Sequence, residues 1–146
     1  MEPWRFNDDK ITDQGEHQFT YALWPHRGDW KSGETVREAR ALNNPILVIP
    51  GSMVQWPSLL TLSHENIILD SIKKAEEGDE IVIRAHEAHG QSTKATMEFG
   101  VRIDQALECD LLENEVGKLK LKKTKLPLKF SPFEIKTLRV RLRPKR

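Results

Sequence analysis

His86, Glu87 and His89 put two imidazoles and a carboxylate within four residues, a donor set that could hold zinc on the right backbone. The spacing argues against it. In the run Glu80 to Gly90, Ile81, Ile83 and Ala85 alternate with Val82, Arg84 and His86, the period of a strand that ends at a polar rim. On a strand His86 and His89 project to opposite faces, whereas the paired histidines of zinc proteases stand four apart on one side of a helix. No metal site is expected. Glu87 and His89 do share a face, so a hydrogen-bonded pair there could bind a sugar hydroxyl or fasten a loop. Glycoside hydrolysis needs two carboxyls at a defined separation. Nothing local fixes a second one beside Glu87, and no catalytic residue is assigned.

A second cluster lies in the loop Trp24 to Trp30, where Trp24, His26, Asp29 and Trp30 combine aromatic faces with polar neighbours. With Glu87 and His89, the residues Trp24, His26 and Trp30 form the candidate carbohydrate contacts; the competing reading makes both tryptophans core or interface aromatics. Other chemistries lack their signatures. There is no phosphate-cradling glycine loop, no nucleophile elbow and no paired cysteine motif. Cys109, the single cysteine, stands between Glu108 and Asp110, which disfavours a thiolate.

The elements that must position these residues read mainly as strands. Residues 1 to 15 look like a lead-in loop. His17 to Trp24, with Phe19, Tyr21 and Leu23 on one face, reads as a strand closed by Pro25, and Ile46 to Ile49 as a buried strand. Between them Glu34 to Asn43 has the spacing of one short helix, stopped by Asn43-Asn44-Pro45. Pro50 to Pro57 marks a boundary. Beyond it, strands are expected at Leu59 to Leu62, Ile67 to Ile72, Glu80 to His89, Ser92 to Phe99, Val101 to Leu112, Lys118 to Leu121, Leu126 to Phe130 and Phe133 to Leu142. Ile68 to Glu77 has an alternative helical reading. The runs on either side of Gly90 should pair as a hairpin, and the parity change between Ile135 and Leu138 suggests a bulge near Lys136 and Thr137. The fold class is therefore all-β: an antiparallel sandwich with one or two short helices. Its expected core includes Ile81, Ile83, Met97, Phe99, Val101, Ile103, Leu128, Leu138 and Val140.

The chain has 146 residues, 38% hydrophobic and 31% charged, enough for one medium domain or a small domain with part of a neighbour. No window approaches a membrane span and the first residues do not resemble a signal peptide, so a soluble chain with no membrane partner is expected. A lone cysteine is compatible with a reducing cytoplasm. The formal charge is +1, but residues 118–146 hold 12 basic residues and one acid, Glu134. Acidic and basic strands lying side by side in one sandwich would account for this. Phe130 and Phe133 are the only aromatics in that basic run, too few for the interleaving of a single-strand nucleic-acid surface, and no nucleic-acid partner is expected.

Several longer words are more specific. Asp13-Gln-Gly-Glu-His-Gln-Phe-Thr-Tyr-Ala-Leu-Trp-Pro-His26, then Gly28-Asp29-Trp30 and Asn43-Asn44-Pro45, resemble the late part of family 38 glycoside hydrolases, the class II α-mannosidases. Asn66 to Glu76, Glu87-Ala88-His89-Gly90, Glu108 to Glu113 and Phe130 to Leu138 resemble that family's C-terminal β region, in order, and the likeness is nearest to its cytosolic and vacuolar type. The resemblance implies that residues 1–50 are the tail of a large central β domain and 58–143 a terminal sandwich. It also implies that zinc and the nucleophilic aspartate belong to a catalytic barrel absent here, so this chain has no cofactor of its own and is inactive alone. Its partner would be that catalytic domain; an autonomous carbohydrate-binding module is the alternative, with glycan as partner. A severed domain end at residues 16–49 should either self-associate or pack onto the sandwich.

Overall fold

A computed structural model describes residues 15–48, 50–51 and 58–143. The expected lead-in loop and most of the 50–57 boundary lie outside the described residues. Among these residues one helix, α1 (Thr35–Asn43), precedes eight strands: β1 (Leu60–Leu62), β2 (Ile67–Lys74), β3 (Ile81–Glu87), β4 (Thr93–Phe99), β5 (Ile103–Cys109), β6 (Glu115–Lys118), β7 (Lys125–Phe130) and β8 (Ile135–Leu142). They form two antiparallel sheets, ordered β1-β4-β7 and β2-β3-β8-β5-β6. The fold is an all-β sandwich.

Alternation explains why the sheets face each other. In β4 the side chains of Ala95, Met97 and Phe99 are buried while Lys94 and Glu98 are exposed, and β7 repeats this with Leu126, Leu128 and Phe130 against Lys125, Pro127 and Lys129. Ile67, Ile83, Ala85, Ile103, Ala106, Leu138 and Val140 meet them from the larger sheet. Of the expected core, Ile81 and Val101 are only half-buried; both stand at or beyond the end of a strand.

Three sequence expectations are corrected. β3 and β4 do not pair as a hairpin: β3 lies between β2 and β8, and β4 lies in the other sheet between β1 and β7. Alternation reports that a segment has one buried face, not which sheet supplies its neighbours. The strand expected at Ile67 to Ile72 does form, as β2, and the alternative helical reading of Ile68 to Glu77 falls away; the chain turns into β3 at Gly78, whose φ of 84° is in the left-handed region. There is no bulge at Lys136 and Thr137, since the β3–β8 register runs without a break from Ile135 to Val140. Instead the even positions Lys136 to Val140 are buried, and the odd residues Phe133 and Ile135 are exposed. Lastly, 17–24 and 46–48 form no strand, and Phe19, Tyr21, Leu23, Ile46, Leu47 and Val48 are all at least 80% exposed. Their propensity is that of strands, but no edge among the described residues receives them. The expected packing of these segments onto the sandwich does not occur.

The helix fares better: α1 begins one residue after the expected Glu34, which itself adopts a left-handed φ of 51°. No α1 residue is buried. Its attachment to the sheets is polar, through the Arg40 guanidinium, which donates to the carbonyl of Asp70 and stands 3.7 Å from that residue's carboxylate.

Candidate functional site

Glu87 is the last residue of β3 and keeps the parity of Ile81, Ile83 and Ala85, so its side chain turns into the sandwich rather than out to solvent. It is fully buried. A dry carboxylate must be matched by donors, and five converge on it. Asn66 Nδ2 and the backbone N–H of His89 donate to Oε1, each at 2.8 Å. The backbone N–H groups of Gly90, Gln91 and Phe133 donate to Oε2 at 2.8, 3.0 and 3.0 Å. Burial pushes the carboxyl up, but the Phe133, Asn66, His89 and Gln91 donors outweigh it and hold the pKa at about 2.

The donors come from separate segments. Asn66 precedes β2 and also donates to Thr93 Oγ1 at the start of β4, at 2.7 Å. Residues 89–91 carry the chain from the larger sheet to the smaller, and Phe133 lies where it returns from β7 to β8. Gly90 has φ 73°, and any Cβ there would meet the Phe133 ring at 2.8 Å. Phe133 is itself left-handed at φ 58°. One carboxylate thus closes the end of the sandwich at which the chain crosses between sheets.

The bond between Glu87 and His89 runs to the histidine's backbone N–H, not its ring, so the expected Glu87–His89 side-chain pair is not what forms. With both oxygens occupied and no exposed surface, Glu87 is not placed to meet a sugar. The His89 ring stands edge-on to Trp30, centroids 5.5 Å apart, and Lys31 Nζ donates to the His89 carbonyl at 2.6 Å. Trp24 Nε1 donates to the Gly33 carbonyl at 2.9 Å, and the His26 ring lies so close to Gly33 that a Cβ would meet it at 2.3 Å. Asp29 caps its own loop, accepting from the Ser32 N–H and hydroxyl at 2.9 and 2.8 Å. The structure therefore brings Trp30 and His89 together and leaves Trp24 and His26 as a second pair on Gly33. Trp24 and Trp30 keep 49% and 42% of their surface exposed.

Sequence reasoning missed the partner of His86. The β2–β3 ladder skips Asp70, which is left as an extra residue between Leu69 and Ser71, and a bulged residue re-aims its side chain. Here the Asp70 oxygens lie 2.9 and 3.0 Å from His86 Nδ1 and also face Arg40. An open groove of about 400 Å³ runs past this pair, between Val36 of α1 and the exposed Phe133 and Ile135. Among the described residues no three His, Cys, Asp or Glu side chains gather as a metal set, and with His86 tied to Asp70 and Glu87 saturated the donors do not fit zinc. Burial, the larger effect, with the nearby Asp110 and Glu115 raises the buried Cys109 thiol's pKa.

Fold and rim define an antiparallel sandwich domain whose most perturbed acid is structural. The family model "Glycosyl hydrolases family 38 C-terminal beta sandwich domain" matches residues 66–138, and the chain belongs to that family. It is 34% identical over 145 residues to human alpha-mannosidase 2C1 and 35% identical over 142 residues to alpha-mannosidase G of Dictyostelium discoideum. An alpha-mannosidase of Saccharomyces cerevisiae is 29% identical over 158 residues. These alignments take in 93%, 90% and 90% of this chain but only 14%, 13% and 14% of the relatives' lengths.

Proposed function

We propose that the chain serves as a non-catalytic C-terminal β domain of a retaining α-mannosidase, bracing a catalytic domain carried by other residues of the same protein or by a partner chain. The observation that carries this reading is the pair of solvent-facing segments at 17–24 and 46–48, rich in large apolar side chains and without secondary structure, set beside a sandwich whose own core is complete without them. Alternating Phe19, Tyr21 and Leu23 are what an additional sheet partner would bury, and such a partner fits a chain that matches about one seventh of its relatives. The parent would hydrolyse α-linked mannose, and zinc would belong to its catalytic domain. A reducing cytosolic location suits the single free thiol.

Two experiments test this. The isolated chain, purified free of host mannosidase, is expected to release no product from an aryl α-mannoside with or without added zinc; metal-dependent turnover would overturn the reading. Human alpha-mannosidase 2C1 with its matching segment exchanged for this chain is expected to keep activity that the segment-deleted enzyme loses. A folded but inactive exchange would count against the bracing role.

The same exposed segments lead us to expect self-association when the chain stands alone. Light scattering should show a mass that rises with concentration, and Phe19→Ser with Leu23→Ser should return it to the monomer value. A monomeric mass at high concentration would show that the segments need no cover.

A second reading, glycan binding, is favoured by the half-exposed Trp30 beside His89. Titration with a mannose oligosaccharide should then give saturable heat that Trp30→Ala abolishes; no heat from the unmodified chain would dismiss it.

A further inference from the structure

We propose that the outward face of the β1-β4-β7 sheet docks against an acidic protein surface, one presenting clustered Asp and Glu side chains. The basic run that begins at Lys118 divides between two environments. Along β8 its cations are matched: Lys136 pairs with Glu108 and Glu134, Arg139 and Arg141 with Glu80, and Arg143 with Asp104. On and beside the smaller sheet they are not. Lys120, Lys122, Lys123 and Lys129 are exposed, as is Lys94, which lies outside that run on β4, and none of the five has an ion pair among the described residues; Lys125 finds an acid, Glu98, at 3.4 Å.

Lys94, Lys125 and Lys129 share the outward face, and Lys120, Lys122 and Lys123 lie on the segment that leads into β7. Lys94 and Lys129 are direct cross-strand partners and lie on the face opposite Ala95 and Leu128. Lys122 and Lys125 bond to each other across the turn that starts β7, and the Thr124 carbonyl of that turn accepts from Phe99 N–H at the far end of β4. Lys125 and Lys129 are four residues apart, about 14 Å along the strand. The strip therefore runs the length of β7.

Protection of a free sheet edge accounts for only part of this. Lys125, Pro127 and Lys129 on β7 are the residues that discourage edge pairing. Lys94 is on the central strand, where no edge needs guarding, and its position directly opposite Lys129 is destabilising in the free chain. A surface of opposite charge would remove that repulsion. Carboxylates fit the face better than phosphates for two reasons. The unpaired cations on β4 and β7, Lys94 and Lys129, are both lysines, without an arginine fork for bidentate phosphate binding. The sheet's aromatics, Phe99 and Phe130, are buried, so no base could stack on it. The Lys125–Glu98 pair already shows the contact this surface would repeat.

The test uses the full chain and a fluorescein-labelled polyglutamate peptide, followed by anisotropy across a salt series, with a DNA duplex of equal charge as comparison. We expect saturable binding to polyglutamate, weakened at least tenfold by Lys94→Glu with Lys129→Glu and less than twofold by the charge-matched Arg37→Glu with Lys74→Glu. Equal weakening by the two double variants would mean that overall charge alone acts, and would overturn the proposal. So would tenfold tighter binding to the duplex, which would make a phosphate polymer the occupant. A circular dichroism spectrum matching the unmodified chain keeps misfolding from mimicking the expected loss.

Discussion

Replacing Glu87 by Ala is expected to lower the unfolding free energy by at least about 3 kcal/mol, because several buried N–H donors lose their acceptor at once and each such group left dry costs about 1 to 3 kcal/mol. Against the roughly 5 to 15 kcal/mol that holds a typical domain together, that is a large fraction. The acid dependence gives a sharper reading. Glu87 is held at about 2 in the folded chain against an ordinary 4.5. Its contribution is therefore complete above about pH 4.5 and is lost as the pH falls toward 2, and it amounts to roughly 3 kcal/mol. Glu87→Gln keeps the shape and one acceptor oxygen but turns an amide donor toward N–H groups that need an acceptor. It should destabilise the chain at pH 7 and flatten the loss between pH 4.5 and 2. Urea unfolding at both pH values measures this, and a loss under 1 kcal/mol with an unchanged acid profile would show that the five donors are satisfied some other way.

Ile83→Ala is expected to cost about 2 to 5 kcal/mol. Ile83 has no exposed surface and is paired with Leu138 on one side and Ile72 on the other, in the middle of the strand that joins the β2 hairpin to the sheet's centre. Its side chain belongs to the interface between the two sheets, together with Met97, Leu126 and Phe130. Removing three carbons there leaves a cavity whose lining is fixed by two ladders and cannot close over it. The denaturant midpoint should drop with an unchanged slope. A midpoint that stays put would mean that the sheets are not packed at this layer.

Both predictions rest on features of unequal legibility. The period of two around Ile83 was enough to find the strand and its buried face, because burial of one face is local information. It could not reveal that β3 and β4 belong to different sheets, since strand partners are chosen by contacts far away in the chain. The strands expected at 17–24 and, within the described residues, at 46–48 do not form for the opposite reason: their residues have the composition of strands, but a strand exists only when an edge accepts its N–H and C=O groups. For Glu87 the signal was present. An acid in phase with Ile81, Ile83 and Ala85 points inward, and an inward carboxylate at a strand's end needs N–H donors from a tight turn, which Gly90 supplies. Reading it as a rim residue facing His89 overlooked that phase. Asn66, Asp70 and Phe133 could not have been found, because what unites them with Glu87 and His86 is the closing of chain segments 16 to 46 residues apart.

The position of β8 has a consequence for how the chain comes to be folded. It is the middle strand of the five-stranded sheet, with β3 on one side and β5 on the other, yet it is the last of the eight strands to leave a ribosome. Until residues 135–142 emerge, the β2–β3 hairpin and the β5–β6 hairpin have no shared neighbour, and the carboxylate of Glu87 waits for the N–H of Phe133. Closure of the sheet therefore waits for β8, and it brings together Ile81 and Val140 across almost sixty residues of chain. During that interval the two half-sheets carry open edges, and chaperone occupancy or nascent-chain aggregation would be decided there, before the domain has a core to defend it.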